Sequence, residues 1–390
     1  MNILHYTQHV LGIGHLFRSL AIDRALAPDL VHLVTGGPEV PLDLPANVCH
    51  HAMPALAMDS DFKTMRTVES GADEEDVWQQ RQEQLLALFE ELRPEVLLIE
   101  MFPFGRKRFA RELLPMLAAN RERRHPALTL CSVRDILVEK DDQEKFEKKA
   151  LAWLNSFFDG VLVHSDPRLI RFEETFARTS DIACPLYYTG YVALGSTLPD
   201  MAEARKALGL EARETLLLAS AGSGTVGGEL LTATVTASIL LARHLPHRLL
   251  MFYGPHADED LRQRLFSLAE DHRHIVISDF TPRFVDYVLA ADLSISMAGY
   301  NTTMNLLACR TRGLLYPFAQ NREQRMRLSA LVAGGYLQLL EREELDAAAL
   351  AGRLLQALQG PPAQGVALRL DGDRESAAVI RRLMGAEGRR

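Results

Sequence analysis

A histidine flanked by glycines, two carboxylates that close apolar runs and several small-residue loops are the chemistry-bearing features of this chain. Gly12-Ile-Gly14-His15-Leu-Phe-Arg18 follows the short apolar run Ile3–Tyr6. A histidine at a helix start meets the positive end of the dipole, which disfavours imidazolium. The ring then stays neutral near pH 7, as a general base requires. A ring that only caps or packs is the plainer alternative. Carboxylates that could orient such a histidine are Glu100, after Val-Leu-Leu-Ile, and Asp135, after Leu-Cys-Ser-Val-Arg134. The sequence does not choose between them. Glycine between a strand and a helix also lets backbone N–H groups meet an anion, although it can serve turn geometry alone.

The second half repeats the theme. Ser220-Ala-Gly222-Ser223-Gly224-Thr225 is a small-residue loop suited to close approach by a phosphate. Ser294-Ile-Ser-Met-Ala-Gly299-Tyr-Asn-Thr-Thr303 offers a further set of amides, with a helix expected from about Met304. Tyr316–Gln324 places Glu323 and Gln324 after a strand, as a pair that reads sugar hydroxyls or as a capping turn. Asp59-Ser-Asp61 and Asp371-Gly-Asp373 look like D-x-D metal motifs, but neither follows a convincing strand. Asp373 is expected to cap a helix, and no metal is expected. Arg106, Lys107, Arg108, Arg111, Arg121, Arg123 and Arg124 form a basic cluster around Leu113, Leu114, Met116 and Leu117. It suits anionic lipid or a phosphorylated acceptor, or else a solvated helix face.

Alternating elements must position these groups. Strands are expected at Ile3–Tyr6, Leu30–Val34, Val96–Ile99, Leu128–Val133 and Gly160–His164. Helices are expected at Leu16–Leu26, Val77–Leu92, Phe109–Ala119 and Gln143–Phe158. The pattern restarts with strands Thr215–Ala219, Arg248–Tyr253, Ile275–Ile277, Leu293–Ser296 and Gly313–Pro317, and a helix at Leu230–Leu245. Tyr188–Val192 and Gly195–Pro199 read as a linker. The expectation is α/β: residues 1–192, residues 200–370, and a tail 371–390 with an amphipathic helix from about Glu375 to Met384. Ligands of open parallel sheets lie beyond the strands' carboxyl ends, so two facing halves would bind in a cleft.

The chain has 390 residues, 47% hydrophobic and 24% charged, which is a globular composition. The net charge of −8 argues against nucleic-acid partners. The excess is confined to the first half, with 21 Lys and Arg against 29 Asp and Glu up to Gly190. Cys49, Cys131, Cys184 and Cys309 have no metal-ligand spacing and read as reduced thiols. With no signal peptide and no spanning run, a cytoplasmic protein is expected, at most peripheral at the inner membrane face.

In their order, these segments resemble glycosyltransferases of the GT-B architecture. The nearest group contains the N-acetylglucosaminyltransferase that makes the second lipid intermediate of peptidoglycan, and, closer still, bacterial predicted glycosyltransferases. The resemblance spans nearly the whole chain. It rests on Gly12-Ile-Gly-His-x-x-Arg18, Met101-Phe-Pro-Phe-Gly105, Arg134-Asp135, Tyr188-Thr-Gly-Tyr-Val192 and, most specifically, the stretch from Gly299 to Gln324. It implies two Rossmann-like domains facing a cleft, with a C-terminal helix crossing back to the first. It also implies an acceptor side with Gly12, Gly14, His15 and Arg18, and a nucleotide-sugar donor, UDP-linked, on the second half. The diphosphate would lie on the Gly222–Thr225 loop, with Ser220 among the donor-binding residues, and on the amides of Gly299, Tyr300, Asn301 and Thr302. The base would lie near Asp279-Phe280, and the sugar at Glu323 and Gln324.

Where the family presents a glutamate to the ribose, this chain has Asn305. That replacement removes a charge-assisted acceptor worth about 1 kcal/mol. The glutamate-spaced motif of retaining enzymes is missing, which implies inversion, and no cofactor is expected beside the nucleotide-sugar substrate. A nucleotide-sugar hydrolase using His15 on water, and a catalytically silent sugar-nucleotide binder, are the alternatives. Acceptor, donor sugar and oligomeric state are not legible.

Overall fold

The computed structural model describes residues 1–10, 14–40, 42–58, 65–68, 73–360 and 368–387. It divides into two compact units, Met1–Val192 with Arg369–Arg390, and Ala193–Leu368.

Unit 1 is built on strands whose apolar residues run without alternation, the pattern of a parallel sheet buried on both faces. Its strands are β1 (Asn2–Tyr6), β2 (Leu30–Thr35), β3 (Val48–Ala52), the short antiparallel pair β4 (Leu56–Met58) and β5 (Met65–Thr67), β6 (Val96–Glu100), β7 (Leu128–Arg134), β8 (Gly160–His164) and β9 (Leu186–Tyr188). All but β4 and β5 form one parallel sheet in the order β3-β2-β1-β6-β7-β8-β9. The connecting helices are α1 (Gly14–Ala25), α2 (Glu74–Leu92), α3 (Ala110–Glu122) and α4 (Gln143–Phe157). Leu4, Tyr6, Val34, Leu97 and Ile99 from the sheet pack with Trp78, Leu85, Phe89, Leu113 and Leu117 from α2 and α3.

Tyr188 belongs to the edge strand β9 and not to the expected linker. It is held there because β9 pairs with β8 and because the Tyr191 N–H donates to the Arg369 carbonyl at 2.8 Å.

Within this core lies a buried ion pair. Arg81 Nε donates to Glu112 Oε2 at 2.8 Å and Nη2 to Oε1 at 2.8 Å, while Tyr6 Oη donates to the same carboxylate. The guanidinium also donates to Gln8 Oε1, to the Pro54 carbonyl and to the Gly36 carbonyl. A Cβ on Gly36 would stand 2.1 Å from Arg81 Nη1, so glycine leaves the space that the arginine occupies. Arg81 thereby ties together the segments that leave β1 and β2. Breaking a buried pair from one side costs about 3–5 kcal/mol, because the remaining charge loses its partner. Arg81→Met is expected to lose about that much in urea unfolding, and Arg81→Met/Glu112→Leu to recover most of it. Equal stability of the single and double variants would refute this.

Unit 2 contains α5 (Met201–Ala207), β10 (Thr215–Ser220), α6 (Gly228–Leu241), β11 (His247–Phe252), α7 (Glu259–Ala269), β12 (Ile275–Ser278), α8 (Phe284–Ala290), β13 (Leu293–Met297), α9 (Tyr300–Cys309), β14 (Gly313–Tyr316), α10 (Arg322–Ala333), β15 (Gln338–Leu339) and α11 (Ala347–Gln359). Its parallel sheet has the order β12-β11-β10-β13-β14-β15. Helix α6 is apolar nearly all round, with Leu230, Leu231, Ala233, Val235, Ala237 and Leu241 buried. It accordingly lies between β10 and α11. Helix α9 begins at Tyr300, four residues before the expected start, because Gly299 already adopts the extended backbone of an N-cap. Residues 193–199 belong to this unit: the Leu194 N–H donates to Asn305 Oδ1 at 3.0 Å and Ser196 Oγ to Asp286 Oδ1 at 2.7 Å.

The final helix α12 (Gly372–Glu387) lies in unit 1 against α1. Arg381 donates to the Leu26 and Ala27 carbonyls, at 2.6 and 2.9 Å, and to Asp29 Oδ2 at 3.0 Å. A cation there satisfies carbonyls that the end of α1 leaves open. Arg369 also joins unit 1, through bonds to the Tyr188 and Thr189 carbonyls. Asp373 sits inside the first turn of α12 and not at its cap, because the helix starts one residue earlier.

Candidate active site

The carboxyl ends of β1, β6 and β7 gather the chemistry of unit 1. Register pairs Tyr6 of β1 with Ile99 of β6, so Glu100, the next residue, stands where the chain leaves β1 for α1. His15 lies in the first turn of α1, and its Nδ1 is 2.6 Å from Glu100 Oε1. Arg18 Nη2, one turn on, donates to the same oxygen and lies 3.1 Å from His15 Nδ1.

Of the two carboxylates left open by the sequence, the structure pairs Glu100 with His15. Asp135 is buried at the end of β7, where its Oδ1 accepts the Ile136 N–H at 2.9 Å. Gly14 opens α1; Gly12 lies outside the described residues.

The tautomer follows from charge. Burial alone would raise the Glu100 carboxyl, but His15, Arg18 and Arg106 outweigh it and hold the group well below the usual carboxylate range. An ionised oxygen 2.6 Å from a ring nitrogen requires a proton between them, so Nδ1–H donates and Nε2 keeps its lone pair. The His15 side chain is 23% exposed while Glu100 is fully covered, which turns the basic nitrogen toward the open side. Burial, assisted by Arg106 and Arg18 and opposed by Glu100, lowers the imidazole to about 4. The ring is therefore neutral at pH 7, through burial rather than through the helix dipole invoked from the sequence. Both protein contacts fall on Glu100 Oε1. Oε2 is buried and accepts no hydrogen bond among the described residues.

Behind this pair, His164 bridges Ser132 Oγ at 2.7 Å and Thr189 Oγ1 at 2.9 Å. Burial, reinforced by the Arg18 charge, lowers it to about 3. Unfolded histidine titrates near 6.5. Below that pH the unfolded chain binds protons that folded His15 and His164 refuse. Stability is therefore expected to fall as pH drops from about 6.5 toward 4. Urea midpoints at pH 7.5, 6 and 5 should decline, and His164→Asn should flatten the decline. An unchanged slope would exclude His164 from the effect.

Unit 2 brings its predicted residues to one sheet edge as well. Adjacent strands β10 and β13 each run into a glycine N-cap, Gly227 for α6 and Gly299 for α9. Among the described residues no side chain caps either helix, whereas α5, α7, α10 and α11 carry Asp200, Asp258, Asn321 and Asp346 as side-chain caps. Two neighbouring helix starts at this sheet edge are thus capped by glycine rather than by a side chain, an arrangement suited to close approach by an anion. A Cβ at Gly299 would meet nothing within 4 Å, so the protein's own packing does not demand glycine there.

The β10 loop turns through Gly222 and Gly224, at φ 68° and 89°, and packs backbone to backbone against Gly254 at the end of β11. Ser223 Oγ and Thr225 Oγ1 are 3.4 Å apart. Phe280 follows β12 and is exposed; its N–H donates to Asp279 Oδ1 at 2.7 Å.

The remaining donor-side residues make contacts within the protein. Ser220 is buried, donating to Ser296 Oγ at 3.1 Å beneath the sheet edge. Asn305 is buried in α9 and its Oδ1 accepts the Leu194 N–H. An amide in place of a glutamate there fits a neutral backbone donor. Tyr300 is buried, with the Arg327 guanidinium 5.1 Å from its ring centre. Asn301 and Thr302 are half-buried on the first turn of α9. Asn321 caps α10 by accepting the Glu323 N–H at 3.2 Å and donates to Glu323 Oε1. Gln324 Oε1 accepts the Phe318 N–H at 2.9 Å. The Glu323-Gln324 segment thus forms a capping turn in this structure, the arrangement the sequence offers beside sugar recognition. Gly254 escaped sequence reasoning, although a glycine directly after an apolar strand was the available signal.

Among the described residues no group of three or more His, Cys, Asp or Glu is placed to hold a metal ion, and no helix is long and apolar enough to cross a membrane. Asp59 and Asp61 lie outside the described residues, and Asp371 is bridged to Val192. Much of the basic cluster is paired: Arg111 with Glu75, Arg121 with Asp159 and Arg123 with Glu90.

Residues 223–367 match the C-terminal domain of glycosyltransferase family 28. The sequence has no significant match among curated proteins. Solved structures match nearly end to end. The glycotransferase of kitacinnamycin is 17% identical, with 98% of each chain covered and a TM-score of 0.61. The sucrose-phosphate synthase from Thermosynechococcus elongatus is 15% identical, with 100% of this chain and 98% of that one covered and a TM-score of 0.60. The MurG of Acinetobacter baumannii is 11% identical, with 98% and 99% covered and a TM-score of 0.56. The chain has the GT-B fold that the sequence led us to expect.

Proposed function

We propose that the chain is an inverting, metal-independent glycosyltransferase that moves a hexosyl or N-acetylhexosaminyl group from a nucleotide diphosphate, UDP by preference, to an acceptor hydroxyl. The observation that carries this reading is the His15–Glu100 pair, which leaves Nε2 basic and open at the carboxyl end of β1. Unit 1 supplies the base and unit 2 holds the donor. His15 Nε2 takes the acceptor hydroxyl proton as that oxygen forms its bond to the anomeric carbon. The bond from that carbon to the diphosphate breaks on the opposite face. Negative charge then grows on the diphosphate, where the amides opening α6 and α9 would stabilise it. Glu100 holds the tautomer and offsets the imidazolium that forms, while Arg18 keeps Glu100 from drawing the proton away.

Asn305 no longer argues for a silent binder, since its amide has a partner inside unit 2. Peripheral membrane contact through Arg106–Arg124 is a weaker element of the proposal, because three of those cations already face carboxylates. A UDP-sugar panel incubated with and without cell extract, followed by mass spectrometry, tests the whole. Extract-dependent glycosylated product supports transfer. Free sugar released at the same rate without extract would establish hydrolysis by the same dyad, and no turnover of any donor would overturn the proposal.

A further inference from the structure

The loop that leaves β6 carries a cation beside the His15 pair that the proposed mechanism does not use. Met101–Gly105 closes on itself through a 2.7 Å bond from the Gly105 N–H to the Met101 carbonyl, and Met101 N–H is tied to the Ser132 carbonyl of β7 at 2.8 Å. Phe102 and Phe104 are buried, the first against Trp153 and the second against Phe172 and Phe176, which fixes the loop from below. Because the turn returns the chain to Met101, the next residue, Arg106, comes back to the level of Glu100. Both Met101 and Arg106 hold left-handed backbones, at φ 65° and 56°. Strain of this kind on non-glycine residues persists only where the surroundings enforce it, and it concentrates at binding sites.

Arg106 also differs from the arginines near it, of which Arg108 and Arg124 are exposed. Arg18 is neutralised by Glu100, and Arg134 is followed directly by Asp135. Arg111, Arg121 and Arg123 face carboxylates on other helices. The half-buried Arg106 guanidinium makes no hydrogen bond or ion pair among the described residues. Its charge nevertheless bears on Glu100, His15 and His9. One carboxylate, Glu100, thus stands between two cations, and the second of them keeps its donors for something else. A guanidinium fixed in this way matches the paired oxygens of a phosphate or carboxylate.

We propose that Arg106 binds an anionic group, phosphate or carboxylate, carried by the acceptor next to the hydroxyl that His15 deprotonates. This rests on the proposed function, in which unit 1 receives the acceptor.

The test uses the full-length chain, with methyl phosphate and sodium acetate as separate probes at constant ionic strength. The ¹⁵N shifts of the His15 imidazole, assigned by their loss in His15→Ala, report binding. At least one anion should give a saturable shift in the wild type, and whichever binds identifies the class. Affinity should fall about tenfold to a hundredfold in Arg106→Gln, partly return in Arg106→Lys, and stay unchanged in Lys107→Gln on the exposed neighbour. No saturable response to either anion, or equal binding by wild type and Arg106→Gln, would overturn the proposal.

The thermal shift produced by UDP is measured on the same samples. A normal UDP shift in Arg106→Gln shows that the variant is folded. Loss of the UDP shift in the wild type would count against the donor reading and leave the anion result to be judged separately.

Discussion

Replacing His15 with alanine is expected to lower kcat by about 10²–10⁴ while leaving UDP affinity within about twofold. The size follows from the role. A positioned base is worth that much only if it is neutral, correctly protonated and reachable: burial keeps His15 neutral, Glu100 fixes its proton on Nδ1, and the side chain stays partly exposed. Glu100→Gln should lose less, because the ring remains, but an amide can donate or accept and no longer fixes Nδ1–H.

The pH profile separates the two variants. His15 titrates at about 4 because burial dominates, so kcat/KM should hold through pH 6 and fall only as pH approaches that value. Glu100 is the group that raises the imidazole, so its neutralisation should move the acid limb lower still. Arg106 is one that lowers it, so Arg106→Gln should move the limb upward. Turnover in His15→Ala within about fivefold of wild type, with extract-dependent product still formed, would remove His15 from the mechanism.

Much of this site could be read from the chain because it sits where parallel sheets must place ligands. Short apolar runs such as Val96–Ile99 and Leu217–Ala219, bounded by turns, read as strands covered on both faces, and the residue after each run stands at a carboxyl edge. That logic alone puts His15, Glu100, Gly224 and Gly299 at sheet edges. It could not rank Glu100 against Asp135. Both end strands, and the difference lies in which strand neighbours β1, a matter of sheet order: β6 does and β7 does not.

Nor could it foresee Asn305, whose partner Leu194 is 111 residues away, or Arg81, which reads as an ordinary surface residue of α2 until Glu112 of α3 is brought beside it. Arg106 was hidden by its company. Seven cations within nineteen residues read as a face; three of them pair across to Glu75, Asp159 and Glu90, and Lys107, Arg108 and Arg124 are exposed, whereas Arg106 is half-buried. Short edge elements such as β9 and β15 carry too few residues to display a period at all.

The donor side yields the second large effect. Gly224→Ala is expected to weaken UDP binding by at least about tenfold if, as proposed, this loop faces the diphosphate, because it would be displaced by a fraction of an ångström to an ångström. At φ 89° any side chain is strained, and here the added carbon would also stand 2.5 Å from the Tyr253 carbonyl oxygen and 2.8 Å from Ala257 N. Both are backbone atoms and cannot rotate away. The partner loop is equally tight, since a Cβ on Gly254 would come within 2.3 Å of Gly224 N. Gly254 N–H in turn donates to the Asp279 carbonyl at 2.9 Å, so a push at Gly224 reaches the segment carrying Phe280.

Strain alone is not the cause, and Gly209→Ala distinguishes the two. Gly209 has φ 68° but a Cβ there would meet nothing within 4 Å. It should show a comparable conformational cost of about 1–3 kcal/mol in urea unfolding with unchanged UDP affinity. If both alanine variants bind UDP alike and unfold as wild type does, the interlocked glycine loops are not the diphosphate cradle, and the amides of α9 must hold the donor without them.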